Sequence, residues 1–127
     1  MSDVVEQLAH AKYLNLETFR KSGVGVRTPV WFAQDGDAPT IYYVYSESDA
    51  GKVKRIRNNP NVRIAACNVR GNLRGDWANA QARICGREEA ARGQQLLRRK
   101  YGLAKIMADF FARLLRHNNT VIAISVS

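Results

Sequence analysis

Six short stretches rich in β-branched and aromatic residues constrain the fold of this chain more than any other feature. In residues 24–33, Val, Thr and Phe side chains occupy every second position, the spacing of a strand with one buried face. The predicted strands cover residues 13–19, 24–33, 41–46, 62–69, 76–85 and 120–126. Short turns separate several of them, so neighbouring strands are expected to pair antiparallel. Closure of this sheet into a small barrel would remove its two unpaired edges.

Four stretches with helical periodicity lie between the strands. They are residues 3–12, a segment ending at Asn58, residues 87–101 and residues 103–116. Ser48 or Asp49 is expected to cap the second helix, and Gly102 to end the third. The predicted fold class is therefore α+β, mainly β with helices, formed by a six-stranded antiparallel barrel in one domain over residues 1–127. Pro29 cannot donate to a strand ladder, so it is expected at a sheet edge.

Basic charge is concentrated in the second part of the chain. The net charge is +9 and the pI about 10.1, yet residues 1–50 carry four basic and seven acidic groups, whereas residues 51–127 carry sixteen and four. Such a balance invites a nucleic-acid interpretation. The aromatic residues that could stack on bases precede the basic segment, however, and no nucleic-acid-binding motif is present, so nucleic acid is a disfavoured partner.

Compartment and redox state are also indicated by the composition. No apolar run approaches the roughly 20 residues that span a bilayer, and no secretory signal is evident, so a cytoplasmic protein is expected. Cys67 and Cys85 lie far apart in strand-like stretches and fit no metal spacing, so free thiols and no metal site are expected. His10 and His117 are expected in peripheral positions.

The segment GKVKRIRNNP, residues 51–60, predicts an anion site. A loop followed by a helix N-terminus presents free amide hydrogens and the positive end of the helix dipole. Lys52 lies in the first turn of that helix, Arg55 lies one turn later, and Ser46 and Ser48 add hydroxyl donors. This arrangement suits a single phosphate as well as a polyanion, and a simple solvated helix face is the alternative. The basic residues near Arg98 and Arg113 are most simply explained as solvated helix faces.

Several motifs together carry a resemblance to a known family. They are KYLNLETFR at residues 12–20, GVRTPVWF at 25–32, YVYS at 43–46, GKVKRIRNNPNV at 51–62, VRG at 69–71 and LRRKYG at 97–102. With them the chain resembles pyridoxamine-5′-phosphate-oxidase-like proteins of the deazaflavin-dependent kind, over nearly its whole length. The resemblance implies an FMN-binding-like split β-barrel that acts as a homodimer. It also implies a flavin mononucleotide (FMN) or deazaflavin coenzyme F-420 cofactor in a groove between the two subunits.

The resemblance also implies roles for individual residues. Thr28, Pro29, Val30 and Trp31 match the strand that lies against the pyrimidine side of the cofactor ring. Ser46 and Lys52 match the serine and lysine that bind the cofactor phosphate, and Arg55 is a further candidate for the same anion. Trp77 is a candidate contribution from the partner subunit, although the segment RGDW around it departs from the family pattern, and an interface tryptophan is the alternative.

The function implied by the resemblance is an oxidoreductase that uses coenzyme F-420. Such an enzyme transfers a hydride between the reduced cofactor and an unsaturated small molecule, and the chemistry belongs to the cofactor. The basic surface favours F-420, with its polyglutamyl tail, over FMN. One alternative is an FMN-binding or haem-type protein of the same fold without turnover, and another is a basic nucleic-acid-binding module. Homodimerisation is also expected because the aromatic strand IYYVYS of a small, edge-rich barrel needs cover.

Overall fold

The alternating segments form a single curled antiparallel sheet in the computed structural model, which describes residues 2–101 and 119–127. The chain runs through α1 (Ser2–Ala9), β1 (Tyr13–Phe19), β2 (Gly25–Trp31), β3 (Ala33–Gln34), β4 (Ile41–Glu47), α2 (Gly51–Asn58), β5 (Asn61–Cys67), β6 (Ala78–Ile84), α3 (Arg87–Tyr101) and β7 (Asn119–Val126). The predicted helix over residues 103–116, its flanking Gly102 and His117 lie outside the described residues.

The order of the strands explains how the sheet curls. Seven strands pair in the order β2-β1-β5-β6-β7-β4-β3, and every pairing is antiparallel. β2 and β3 occupy opposite edges of this order, yet only Phe32 separates them along the chain. The two edges must therefore approach each other, and the sheet closes on itself as a half-barrel.

The prediction of six strands is wrong in one respect, because the strand expected over residues 24–33 is divided. Its first part, β2, pairs with β1, and its last part, β3, pairs with β4. The side chains alternate through both parts, so the sequence pattern carries no trace of the change of partner. At the break, the backbone N–H of Phe32 donates to the Tyr101 hydroxyl oxygen at 2.9 Å, which satisfies a group that no strand pairs with.

Helices cover both faces of the sheet. On one face, Leu14, Ile64 and Ile122 are fully buried, and Val4 and Leu8 of α1 and Val53 and Ile56 of α2 belong to the same core cluster. On the other face, α3 packs through Leu97 against a second cluster that includes Tyr43, Tyr45 and Val121. The core is thus divided by the sheet, as expected for helices that each bury one apolar stripe.

Three smaller expectations can be compared with the structure. Cys67 is buried, Cys85 is half-buried, and both are free thiols, as predicted. The expected cap of α2 is wrong, because Ala50 is its N-cap and makes no side-chain hydrogen bond there. Within residues 2–101 and 119–127, no helix is both long and apolar enough to cross a membrane.

Candidate functional site

One groove brings together five of the eight residues predicted to bind a cofactor. Its lining comprises Thr28, Pro29, Val30 and Trp31 of β2, Lys52 of α2, and two tyrosines, Tyr13 and Tyr45, and its volume is about 260 Å³. We call it the cofactor groove. Residues from the first half of the chain supply its apolar wall, and the first turn of α2 supplies its cation.

Strand β2 builds the apolar wall of the cofactor groove. Among the described strands, β2 pairs with β1 alone, so it forms an edge at which Pro29 needs no ladder partner. The Trp31 ring lies between two other aromatic rings, with centroids 6.4 Å from Tyr13 and 5.6 Å from Tyr101, both tilted by 36°. Because the Tyr101 hydroxyl also donates to the carbonyl of Lys12 at 2.6 Å, α3 fixes the strand that carries Trp31.

Lys52 is half-buried at the N-terminal end of α2. Burial lowers its pKa, the nearby Arg55 guanidinium lowers it further, and only Glu47 opposes the effect. No acidic residue lies in the first turn of α2, and Ala50 provides no side-chain cap. The half-buried Lys52 ammonium thus lies beside helix amides that no side chain caps. Both groups are positive, so an anion is favoured here.

Arg55 lies near Lys52, but in the described chain neither Arg55 nor Ser46 lines the cofactor groove. The Arg55 Nε donates to the Thr18 hydroxyl at 2.6 Å, which holds the side chain against β1. Burial lowers the pKa of Arg55, and the charge of Arg20 adds to this. Ser46 is buried, and its hydroxyl donates to the Glu47 carbonyl at 3.0 Å. Ser46 therefore has another contact. The bond to Thr18 uses Nε of Arg55, and its Nη1 lies beside Gly51 at the start of α2, because a Cβ placed on Gly51 would lie 2.8 Å from that atom.

Trp77 lies elsewhere on the same chain, over an ion-pair cluster. The guanidinium carbons of Arg27 and Arg63 each lie 4.8 Å from its ring centroid. Both arginines bond to the buried carboxylate of Glu17, at 2.9 Å and 2.6 Å. Burial alone would raise the pKa of Glu17, but the hydrogen bonds from Arg27 and Arg63 outweigh it and hold the pKa below its usual value. Within its own chain, Trp77 thus covers this cluster, and its contribution to the cofactor of a partner subunit stays a prediction.

Two groove residues, Tyr13 and Tyr45, were not predicted as site residues. Tyr45 is buried, and burial raises its pKa to about 12, with the charge of Arg98 opposing the rise. The Tyr45 hydroxyl therefore keeps its proton at neutral pH. Both tyrosines stand in motifs that carry the family resemblance, but which face of a strand they occupy depends on the pairing register, which the sequence alone does not show.

No protein-family model matches the chain, and no curated protein matches it by sequence. Solved structures do resemble it. A candidate 5-nitroimidazole antibiotic resistance protein from Bacteroides thetaiotaomicron has a TM-score of 0.72 at 15% identity, over 99% of this chain and 79% of that one. HutZ, the haem storage protein from Vibrio cholerae, has a TM-score of 0.68 at 16% identity, over 99% of this chain and 89% of that one. A candidate pyridoxamine 5′-phosphate oxidase from Listeria innocua has a TM-score of 0.68 at 15% identity, over 99% of this chain and 92% of that one.

These likenesses establish the fold. The curled sheet of seven strands with its helices matches the fold of these solved structures, among them the candidate pyridoxamine 5′-phosphate oxidase. The neighbours include a candidate oxidase, a haem storage protein and a candidate resistance protein, so the fold by itself does not choose among functions. The function must be argued from the groove.

Proposed function

We propose that the protein is an oxidoreductase that uses the deazaflavin coenzyme F-420 and transfers a hydride between the reduced cofactor and an unsaturated small molecule. One observation carries this proposal: the cofactor groove combines an apolar aromatic wall with a half-buried cation, Lys52, at a helix N-terminus. This combination is complementary to a flat ring system joined to a phosphate.

The residues of the groove fit such a cofactor in two parts. Pro29, Val30 and Trp31 offer an apolar surface for a ring, and the edge position of β2 leaves alternate backbone groups without a strand partner. Lys52 and the first amides of α2 offer the positive charge for a phosphate. The groove volume of about 260 Å³ is small for a ligand pocket. Because a groove of this size would not enclose a whole cofactor, it supports a second wall supplied by the partner subunit of a homodimer.

The chain's own residues act by holding and orienting the cofactor. When bound, the reduced deazaflavin supplies a hydride for an electron-poor double bond. The β2 wall would orient the ring, and the contacts of Trp31 with the Tyr13 and Tyr101 rings help to hold that wall in place. Tyr45 contributes a buried side chain to the groove wall, and its hydroxyl is protonated at neutral pH because burial raises its pKa to about 12.

FMN binding, with or without turnover, is the second candidate function. The same groove chemistry serves any phosphorylated tricyclic ring, and one structural neighbour is a haem storage protein, which supports a binding role without catalysis. The charge of the chain, +9 overall, favours the more anionic F-420 over FMN.

The test is a fluorescence-quench titration of the purified protein with F-420, FMN and haem in parallel. We expect F-420 to bind most tightly and Lys52→Ala to weaken its binding by roughly 10- to 100-fold, the range for loss of one hydrogen bond to a charged group. Lys54→Ala is the matched control, because Lys54 is exposed on the same helix and does not line the groove in the described chain.

Three results would count against the proposal. Equal F-420 affinity in Lys52→Ala and Lys54→Ala would show that Lys52 does not bind the cofactor phosphate. Selective binding of FMN or haem would favour the second candidate function. Failure of all three ligands to bind the wild-type protein would leave only the fold in common with the structural neighbours.

A further inference from the structure

A second groove lies on the other side of Tyr13 from the cofactor groove. It runs between the end of α1 and the loop that joins β5 to β6, and its volume is about 600 Å³, larger than the 260 Å³ of the cofactor groove. The residues important to its chemistry are His10, Lys12, Tyr13, Cys67, Val69 and Arg74. We call it the second groove.

Tyr13 is common to both grooves, and the sheet register explains why. On β1, Tyr13 pairs with Trp31 of β2 on one side and with Cys67 of β5 on the other. Trp31 lines the cofactor groove and Cys67 lines the second groove. A ligand in the second groove therefore needs to pass over only one side chain to reach the wall of the cofactor groove.

Positive charge dominates the second groove. Lys12 and Arg74 are the cations that line it. None of the described residues that line the groove carries a carboxylate. The adjacent acid is Asp76, whose carboxylate accepts from the Gln7 amide at 3.1 Å while its backbone N–H donates to the Gln7 side-chain oxygen at 2.9 Å.

The walls of the second groove are held in place by hydrogen bonds. The Lys100 ammonium donates to the Ala11 carbonyl at 3.1 Å, and the Tyr101 hydroxyl to the Lys12 carbonyl at 2.6 Å, so the end of α3 anchors one wall. On the other wall, the backbone N–H of Arg74 donates to the Ala66 carbonyl at 2.7 Å. A preformed groove binds a ligand without first paying the entropy of ordering its own loops.

We propose that the second groove binds the carboxylate end of an organic acid substrate. The rest of such a molecule, lying over Tyr13 and against Val69, would point its unsaturated part toward the cofactor groove. This inference rests on the proposed function and narrows it, because it names unsaturated organic acids as the substrate class. A carboxylate could also come from the glutamyl tail of F-420 itself, so the test must separate the two sources.

The test compares cinnamate, an unsaturated aromatic acid, with cinnamamide, its neutral amide of nearly the same shape. Backbone amide shifts of the isotope-labelled chain are recorded by nuclear magnetic resonance at low ionic strength. We expect cinnamate to shift residues around Tyr13 and Arg74 and to bind about tenfold more tightly than the amide, the sum expected for two exposed ion pairs. The double variant Lys12→Gln/Arg74→Gln should lose this preference, whereas Lys54→Gln should keep it.

Each outcome distinguishes this inference from the proposed function. Equal binding of acid and amide, no binding of either, or a preference that survives in the double variant would overturn the second groove as an acid site. F-420 titration of the double variant separates the two sources: unchanged affinity supports a substrate site, and a loss matching that of cinnamate would assign the groove to the cofactor tail instead. If cinnamate binds as expected while F-420 binds nowhere, the proposed function fails and the acid site stands.

Discussion

Asp35 is the most extensively bonded carboxylate in the described residues, and it ties the hairpin after β3 to α3. The Arg92 guanidinium donates to it at 2.7 and 3.1 Å, the Tyr43 hydroxyl at 3.0 Å and the backbone N–H of Asp37 at 2.9 Å. The hydrogen bonds from Arg92 lower the pKa of Asp35 most, and burial, which would raise it, is outweighed. Burial and then this carboxylate raise the pKa of Tyr43 to about 12. The charged carboxylate is therefore a stabilising group of the native state.

Replacement of Asp35 by Asn should make stability less dependent on pH. Because the folded pKa lies below the unfolded value of 3.8, the carboxylate stabilises the native state above that pH and loses this contribution as pH falls through and below it. We expect Asp35→Asn to lower the free energy of unfolding by about 1–3 kcal/mol at neutral pH. The difference from wild type should shrink below about pH 4, as measured by urea unfolding across that range.

The control for this prediction is Asp37→Asn. Asp37 accepts from the same arginine at 3.0 Å, but its side chain is 91% exposed. Its replacement should change the free energy of unfolding by less than about 1 kcal/mol. A difference in the free energy of unfolding between wild type and Asp35→Asn that stays constant from neutral to acidic pH would contradict the prediction. It would show that folding does not favour the charged form of the Asp35 carboxyl.

At the scale of the elements, α3 approaches the sheet closely because Gly93 has no side chain. A Cβ placed on Gly93 would lie 2.9 Å from Cγ1 of Val121 and 3.0 Å from Cγ of Tyr43. Leu97, one turn further along α3, is fully buried against the same cluster. The spacing between helix and sheet is therefore set by a glycine in the middle of a helix, where glycine is otherwise unfavourable.

Gly93→Ala should destabilise the protein in spite of the higher helix propensity of alanine. Alanine would favour the helix by about 1 kcal/mol, but overpacking against β4 and β7 costs about 1–3 kcal/mol, so we expect a lower free energy of unfolding. Ala91→Gly is the matched control on the exposed side of α3 and should cost only about 1 kcal/mol through propensity. A Gly93→Ala variant more stable than wild type would contradict the close packing of α3.

At the scale of the whole molecule, the sequence predicted most elements and part of the site. Strand periodicity and turn residues located every strand segment, although no residue of β2 is fully buried and β1 and β4 are buried on both faces. The change of partner at Phe32 could not be predicted, since alternation is the same on both sides of it. Residues Thr28 to Trp31 and Lys52, which the motifs predicted to bind a cofactor, line one groove in the structure, and their binding role stays a prediction. The positions of Tyr13 and Trp77 depend on register and on the path of the β5–β6 loop, which local patterns do not encode.

The last prediction concerns assembly, because the described residues of one chain enclose only a small cofactor groove. Its volume of about 260 Å³ is small for a complete phosphorylated ring cofactor, and β2 presents an open edge beside it. We expect sedimentation velocity at micromolar concentration to give twice the chain mass of 14.3 kDa, with and without F-420. The midpoint of thermal unfolding should also rise with protein concentration, since association stabilises the native state by mass action. A species of 14.3 kDa that persists in saturating F-420 would rule out a groove shared between two subunits.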